Sequence, residues 1–162
     1  MHDMDGVAAN QRDVGFADLY ARQATPMVRV AYLLLGPAGS TGSAEEAVHD
    51  AFAKVYERWD RIDDHGAYLR TCVVNRCRDL QRRRRLERER SVDRTATYAE
   101  LGARELLDTL AALPLKQRAA VVLRYYEGLS EAEIAATLGV PAGTVKSTLS
   151  RALGTLREAV ER

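Results

Sequence analysis

Aromatic residues are scarce in this chain: 6% of 162 residues, with a single tryptophan. A core must therefore be built from Leu, Val and Ala, as in small helical domains. Cysteine is scarcer still. Cys72 and Cys77 are the whole supply, five residues apart; on a helix rising ~1.5 Å per residue their Cα atoms stand more than ~7 Å apart, too far for a disulfide. The histidines, His2, His49 and His65, are scattered, so no spacing suggests a zinc site and no metal is expected. Both thiols are expected to be buried or half-buried apolar groups in a reducing cytoplasm. A long hydrophobic run is missing too: "VRVAYLLLG" carries Arg29 and is far too short to span a bilayer. "MHDMDGVAAN" has no apolar stretch of a signal peptide. These absences predict a cytoplasmic protein without membrane contact.

Charge of one sign is nearly cancelled overall, at +1, but not locally. Between Arg70 and Arg90 nine arginines face three acids, a local excess of +6 that leaves about −5 for the remainder. Such a run is either a solvated helix face or a surface that attracts a polyanion and releases its counterions.

Nearly every periodic segment has helical spacing, which predicts an all-α protein. Phe16, Leu19 and Tyr20 lead to Met27, Val30, Ala31 and Leu34, interrupted at Thr25-Pro26 by a kink or by a cap and a new helix. After the loop "GPAGSTGS", Ser43 and Glu46 read as a capping box, followed by the stripe Val48, Phe52, Val55, Trp59. "DRIDDHG" reads as a loop. The next helix shows Leu69, Cys72, Val73, Cys77 and Leu80, then runs into "RRRRLERER". Residues 91–103 read as a linker. Beyond it come Leu106 to Leu113, a helix from Leu115 to Tyr126, a third capped by Ser130 with Glu133, and a last from about Pro141. The expected organisation is two small helical domains, 14–90 and 104–162, joined by that linker.

"GVPAGTVKS", Gly139 to Ser147, has the ingredients of a phosphate-binding loop but not the spacing. Three residues separate the glycines, Thr144 and Val145 stand between Gly143 and Lys146, and Pro141 removes a donor. A nucleotide-dependent enzyme is therefore disfavoured, and no catalytic site or cofactor is expected. A short helix ending in Gly, a tight turn and a new helix instead match a helix-turn-helix, whose second helix enters the DNA major groove. At ~100° per residue, Val145, Leu149, Ala152, Leu153 and Leu156 share one side. Gly143, Thr144, Ser147, Ser150 and Arg151 lie opposite, with Lys146 and Thr148 on the flanks. On periodicity alone a solvent-facing helix of a bundle fits equally. From Arg104 to Arg162 eight basic residues meet seven acidic ones, too little charge for strong DNA binding unaided.

The run "LPLKQRAAVVLRYYEGLSEAEIAATLGVPAGTVKSTLSRALGTLR" closely resembles region 4 of bacterial extracytoplasmic-function sigma factors. The match rests on Leu113-Pro114, Gln117-Arg118, Leu123-Arg124-Tyr125, Gly128-Leu129-Ser130, Ile134-Ala135, Leu138-Gly139, the stretch from Gly143 to Ser147, and Arg151-Ala152. "AEEAVHDAFAKVYERW" and "AYLRTCVVNRCRDLQRRRR" resemble region 2 of the same family, so the likeness covers about residues 15–160.

The resemblance implies a DNA-binding promoter-specificity factor that docks on core RNA polymerase. It assigns Glu46, His49, Asp50, Phe52 and Tyr56 to the clamp of the polymerase's largest subunit. It assigns melting and capture of the −10 element to Trp59, Arg61, Tyr68, Arg70, Asn75, Arg76, Arg78 and Asp79; Arg82 and Arg83, beyond the last strong apolar anchor Leu80, are expected on phosphates. Readout of the −35 element goes to Thr144, Lys146, Ser147, Thr148, Ser150 and Arg151. Aromatic, Arg and Asn groups suit splayed bases, and Arg in the major groove suits guanine. The layout is compatible with regulation by a separate anti-sigma factor. Three departures stand out: Glu46, His49 and Asp50 replace the usual Asp, Gln, Glu; Tyr68 replaces Trp; Thr148 replaces Arg. Rival readings are a free-standing helix-turn-helix regulator, separated by polymerase binding, and a helical adaptor indifferent to Arg151.

Overall fold

A computed structural model describes residues 3–36, 41–88 and 101–162. Among them are seven α-helices and no strand: α1 (Asp3–Leu35), α2 (Thr41–Glu57), α3 (His65–Arg88), α4 (Leu101–Ala111), α5 (Leu115–Val121), α6 (Glu131–Leu138) and α7 (Ala142–Val160), with a 3-10 turn at Trp59–Arg61. The expected all-α fold is the one observed.

Several helix limits differ from the sequence reading. α1 runs through Pro26 without a break. Losing one backbone donor costs ~3 kcal/mol, less than burial of Met27, Val30, Ala31 and Leu34 contributes at ~1.5–3 kcal/mol for each large side chain. α2 begins at Thr41, so Ser43 lies inside the helix rather than at its cap, and its hydroxyl accepts from Arg84 Nη2 at 2.8 Å. α4 starts at Leu101, within the expected linker; residues 89–100 lie outside the described residues. The expected helix from Leu115 to Tyr126 widens into a π turn over Val122–Tyr126, marked by Glu127 N–H reaching the Val122 carbonyl at 3.1 Å.

The local signals around the helix-turn-helix hold. Ser130 and Glu133 form a reciprocal capping box, Glu133 N–H to Ser130 Oγ at 3.2 Å and Ser130 N–H to Glu133 Oε2 at 2.8 Å. Those bonds hold the Glu133 carboxyl below the usual carboxylate range. Gly139 ends α6 at φ +66°, and Val140 N–H closes back on the Ala135 carbonyl at 3.0 Å, a Schellman stop. No heavy atom would meet a Cβ there, so the glycine serves the left-handed turn alone.

The two expected lobes share one buried core running from Leu19 in α1 to Ala152 in α7. α1, α2 and α3 form the first bundle; α5, α6 and α7 form the second. α1 also packs on α4 and α5, and α3 packs on α6. The join has a polar clasp. Arg118, 6% exposed, donates to the carbonyls of Leu110 (2.9 Å), Ala111 (3.1 Å) and Leu113 (3.0 Å), and across the lobes to Leu34 at 2.5 Å. Gln81 Nε2 donates to the same Leu34 oxygen at 2.7 Å.

Candidate nucleic-acid and polymerase interfaces

α7 buries Val145, Leu149 and Ala152 against the second bundle. Gly143, Lys146, Ser147, Ser150 and Arg151 are exposed, and Thr144 is half-buried. This is a narrow face of small polar residues with two cations, one turn and more beyond the Gly139 stop. Two expectations shift. Thr148, named among the base-reading residues, is buried, and its hydroxyl donates to the Thr144 carbonyl at 2.7 Å. Leu153, expected inside, is 38% exposed. The covered arc of α7 is thus rotated toward Thr148. Ser147 Oγ also turns back to Thr144, at 3.0 Å, leaving Lys146 and Arg151 as the outward charges.

In the first lobe an aromatic cluster anchors the segment between α2 and α3. Phe16 meets Phe52, Tyr56 and Trp59 edge-on, with centroids 5.9, 5.0 and 6.0 Å away. A Cβ at Gly15 would come within 2.8 Å of the Trp59 ring, so this glycine makes room for the indole. Trp59 stacks on His65 at 3.6 Å and 13°, and His65 Nε2 donates to the Trp59 carbonyl at 2.9 Å. Trp59 therefore braces the segment, while Arg61 is exposed beside it. Asp64 caps α3 by accepting from Ala67 N–H at 2.9 Å. Along α3, Tyr68, Arg70 and Arg78 are half-buried, and Asn75, Asp79, Arg82 and Arg83 are exposed.

Arg76 was grouped with the strand-capturing residues, yet its side chain is only 18% exposed and pairs with α2: Nε to Asp50 at 2.7 Å, Nη2 to Glu46 at 3.5 Å. It braces the two acids expected to face polymerase. Those acids stay accessible, with side chains 61% (Glu46) and 46% (Asp50) exposed. His49 is exposed next to them, its Nε2 3.4 Å from Tyr20 OH. Tyr56 is exposed as expected; its hydroxyl donates to Asp13 at 3.0 Å and Arg12 lies over its ring. Phe52, however, is 2% exposed and belongs to the core, so it supports this face from beneath rather than touching a partner. Arg12, Asp13 and Tyr20 of α1 extend the face. Sequence reading missed them, although Asp13 and Tyr20 sit about one turn either side of Phe16.

Both cysteines are free and buried, and burial pushes the Cys77 thiol up to about 12. Among the described residues no group of His, Cys, Asp and Glu could hold a metal ion, and no helix is long and apolar enough to cross a membrane.

The family model for sigma-70 region 2 matches residues 19–87, and that for sigma-70 region 4 matches residues 103–156. The RNA polymerase sigma-E factor of Streptomyces coelicolor is 42% identical over 125 residues, 71% of this chain and 70% of the relative. This chain belongs to the extracytoplasmic-function sigma factors. A second member, the ECF RNA polymerase sigma factor SigL of Mycobacterium tuberculosis, is 32% identical over 153 residues, 86% of this chain and 85% of its own. Among solved structures, the sigma factor RpoE of Bartonella quintana, in complex with the anti-sigma factor NepR, superposes with a TM-score of 0.74 at 25% identity, covering 91% of this chain and 97% of that one. CnrH, solved with the cytosolic domain of CnrY, gives a TM-score of 0.71 at 26% identity over 98% of both chains.

Proposed function

We propose that this sigma factor divides promoter recognition between its two lobes. The α2 face with Glu46, His49, Asp50 and Tyr56 docks on the polymerase clamp. The segment from Trp59 through α3 captures the opened −10 strand through Arg61, Tyr68, Arg70, Asn75, Arg78 and Asp79, with Arg82 and Arg83 on phosphates. α7 reads the −35 element through Thr144, Lys146, Ser147, Ser150 and Arg151. The observation that supports this most is the division of α7 itself, with Val145, Leu149 and Ala152 buried and Lys146 and Arg151 outward.

The chain needs no catalytic group in this role, because the polymerase performs the chemistry. It acts in the cytoplasm, where polymerase and promoter meet. The complex of RpoE with the anti-sigma factor NepR favours an anti-sigma partner here as well. Reconstitution with core polymerase and mapping of transcript starts tests the reading. Starts preceded by a common −35 and −10 pair are expected. A chain that binds DNA without polymerase and adds nothing to initiation would instead be a free-standing regulator.

A further inference from the structure

The segment between α2 and α3 is an arch whose two feet are tied together. Trp59 stands at one foot and His65 at the other. Their rings stack at 3.6 Å and 13°, and the Trp59 carbonyl accepts both His65 Nε2 at 2.9 Å and Ile62 N–H at 3.3 Å. Asp64 fixes the exit into α3 by accepting from Ala67 N–H. Between the feet, Asp60, Arg61, Asp63 and Asp64 are exposed on the crown. Three carboxylates and one guanidinium repel a phosphate on balance, whereas a carboxylate accepts from the amino group of cytosine. The arch is therefore suited to choosing a base rather than to adding general affinity.

The seat of the arch lies outside it, on α1. Phe16 meets the Trp59 ring edge-on, and the α1 backbone passes so close that a Cβ at Gly15 would stand 2.8 Å from Trp59 Cζ2, with Cη2 and Cε2 at 3.6 and 3.7 Å. Carbon atoms in ordinary contact are ~3.5–4 Å apart, so a methyl group here would push the indole or the helix by ~0.7 Å or more. No left-handed backbone calls for this glycine: among the described residues the positive-φ glycines are Gly36, Gly128 and Gly139. Inside a helix glycine is less favourable than alanine, so what Gly15 supplies is the space for the indole. Functional side chains must be held within ~0.5 Å of their working geometry, and the shift forced by one methyl group exceeds that.

We infer that Gly15 and His65 are positioning residues for base selection in the −10 element. Neither needs to reach the strand. Together they wedge Trp59, one from α1 and the other from the start of α3, and so fix where the crown at 60–64 meets the DNA. Part of the −10 preference is then set by a helix that makes no contact with the promoter. This rests on the −10 role proposed above.

The test uses the full chain reconstituted with core polymerase. Transcription from libraries randomised at the −10 and at the −35 element gives a preference profile for each. Gly15→Ala should shift the −10 profile, the preferred base at one position losing about fivefold against its competitors, and should leave the −35 profile and core affinity at wild-type values. Emission from Trp59, the single tryptophan, should shift in the free protein. Gly6→Ala makes the same change on the same helix with open space around it and should alter none of these readings. His65→Leu releases the indole from the other side and should change the −10 profile in the same way, should Gly15→Ala fail to fold. In a Trp59→Phe background the fused ring that carries Cζ2 is gone, so adding Gly15→Ala should change the −10 profile by less than about twofold. A Gly15→Ala effect that persists undiminished in that background would overturn the inference. So would a −10 profile unchanged by Gly15→Ala and by His65→Leu while Arg61→Ala and Tyr68→Ala change it. If those last two variants also leave the −10 profile unchanged, the −10 assignment itself is wrong and the inference falls with it.

Discussion

Replacing Arg118 with methionine tests whether the buried guanidinium holds the fold together. Its four carbonyl partners, on Leu34, Leu110, Ala111 and Leu113, lie at or just beyond the C-terminal ends of α1 and α4. Helix ends there carry partial negative charge and spare acceptors, so a cation is well placed. Hydrogen bonds to a charged group are worth about 1.5–3 kcal/mol each, so four would sum to roughly 6–12 kcal/mol if they simply added. They do not add, and burying the guanidinium is itself costly, which is why burial lowers its pKa from the usual guanidinium range. A net loss of ~3–5 kcal/mol is the reasonable expectation for Arg118→Met, which keeps an unbranched apolar stem but leaves the carbonyls bare. Against a total stability of ~5–15 kcal/mol that is a large share. At ~2–4 °C per kcal/mol it corresponds to a drop in Tm of roughly 6–20 °C. Arg118→Lys retains charge but offers a compact donor in place of the planar fork, and should recover about half of the loss. Melting followed by circular dichroism measures both variants. A Tm for Arg118→Met within about 2 °C of wild type would mean the carbonyls are satisfied by water and the clasp contributes nothing.

The remaining expectations concern the proposed faces and the thiols. Asp50→Asn keeps the shape of the docking face but removes a charge and the partner of Arg76; core polymerase affinity should fall about fivefold, and unchanged co-purification would remove Asp50 from the docking surface. Arg151→Ala should relax preference at one −35 position by ~1–3 kcal/mol, whereas Arg83→Ala should weaken all promoters alike and reduce the salt slope by about one. Transcription from a −35 library at two salt concentrations separates them, and a sequence-selective loss for Arg83→Ala would reverse the assignment. Cys77, with its thiol raised to about 12 by burial, should resist iodoacetamide at pH 8 in the folded protein and react once unfolded; rapid native labelling would show the site to be open.

What could be read from the sequence is what is decided within a few residues. Ser130 and Glu133 cap α6, and Gly139 stops it, because those bonds span three to five positions. The capping pattern at Ser43 and Glu46 is equally local yet unused, since α2 starts earlier and Arg84, 41 positions away, takes the Ser43 hydroxyl. Pro26 stays helical for a similar reason: the burial that outweighs its missing donor comes from neighbours on other helices. The contact of Arg118 with Leu34 spans 84 positions, and no periodicity could announce it.

The functional faces follow the same division. A helical wheel fixes the angles between side chains but not which arc the neighbouring helices cover. On α7 it put Lys146, Ser150 and Arg151 away from Val145 and Leu149. It could not tell that packing takes in Thr148 and leaves Leu153 at the rim, because that depends on where α4, α5 and α6 lie. On α2 the wheel already held the answer for Phe52. A residue on the stripe of Val48 and Val55 cannot also lie on the outer docking face, since the two arcs point to opposite sides of one helix. At 2% exposed, beneath Phe16 and Tyr20, Phe52 holds α2 against α1, so the proposed docking face consists of the charged and polar side chains that share its helix.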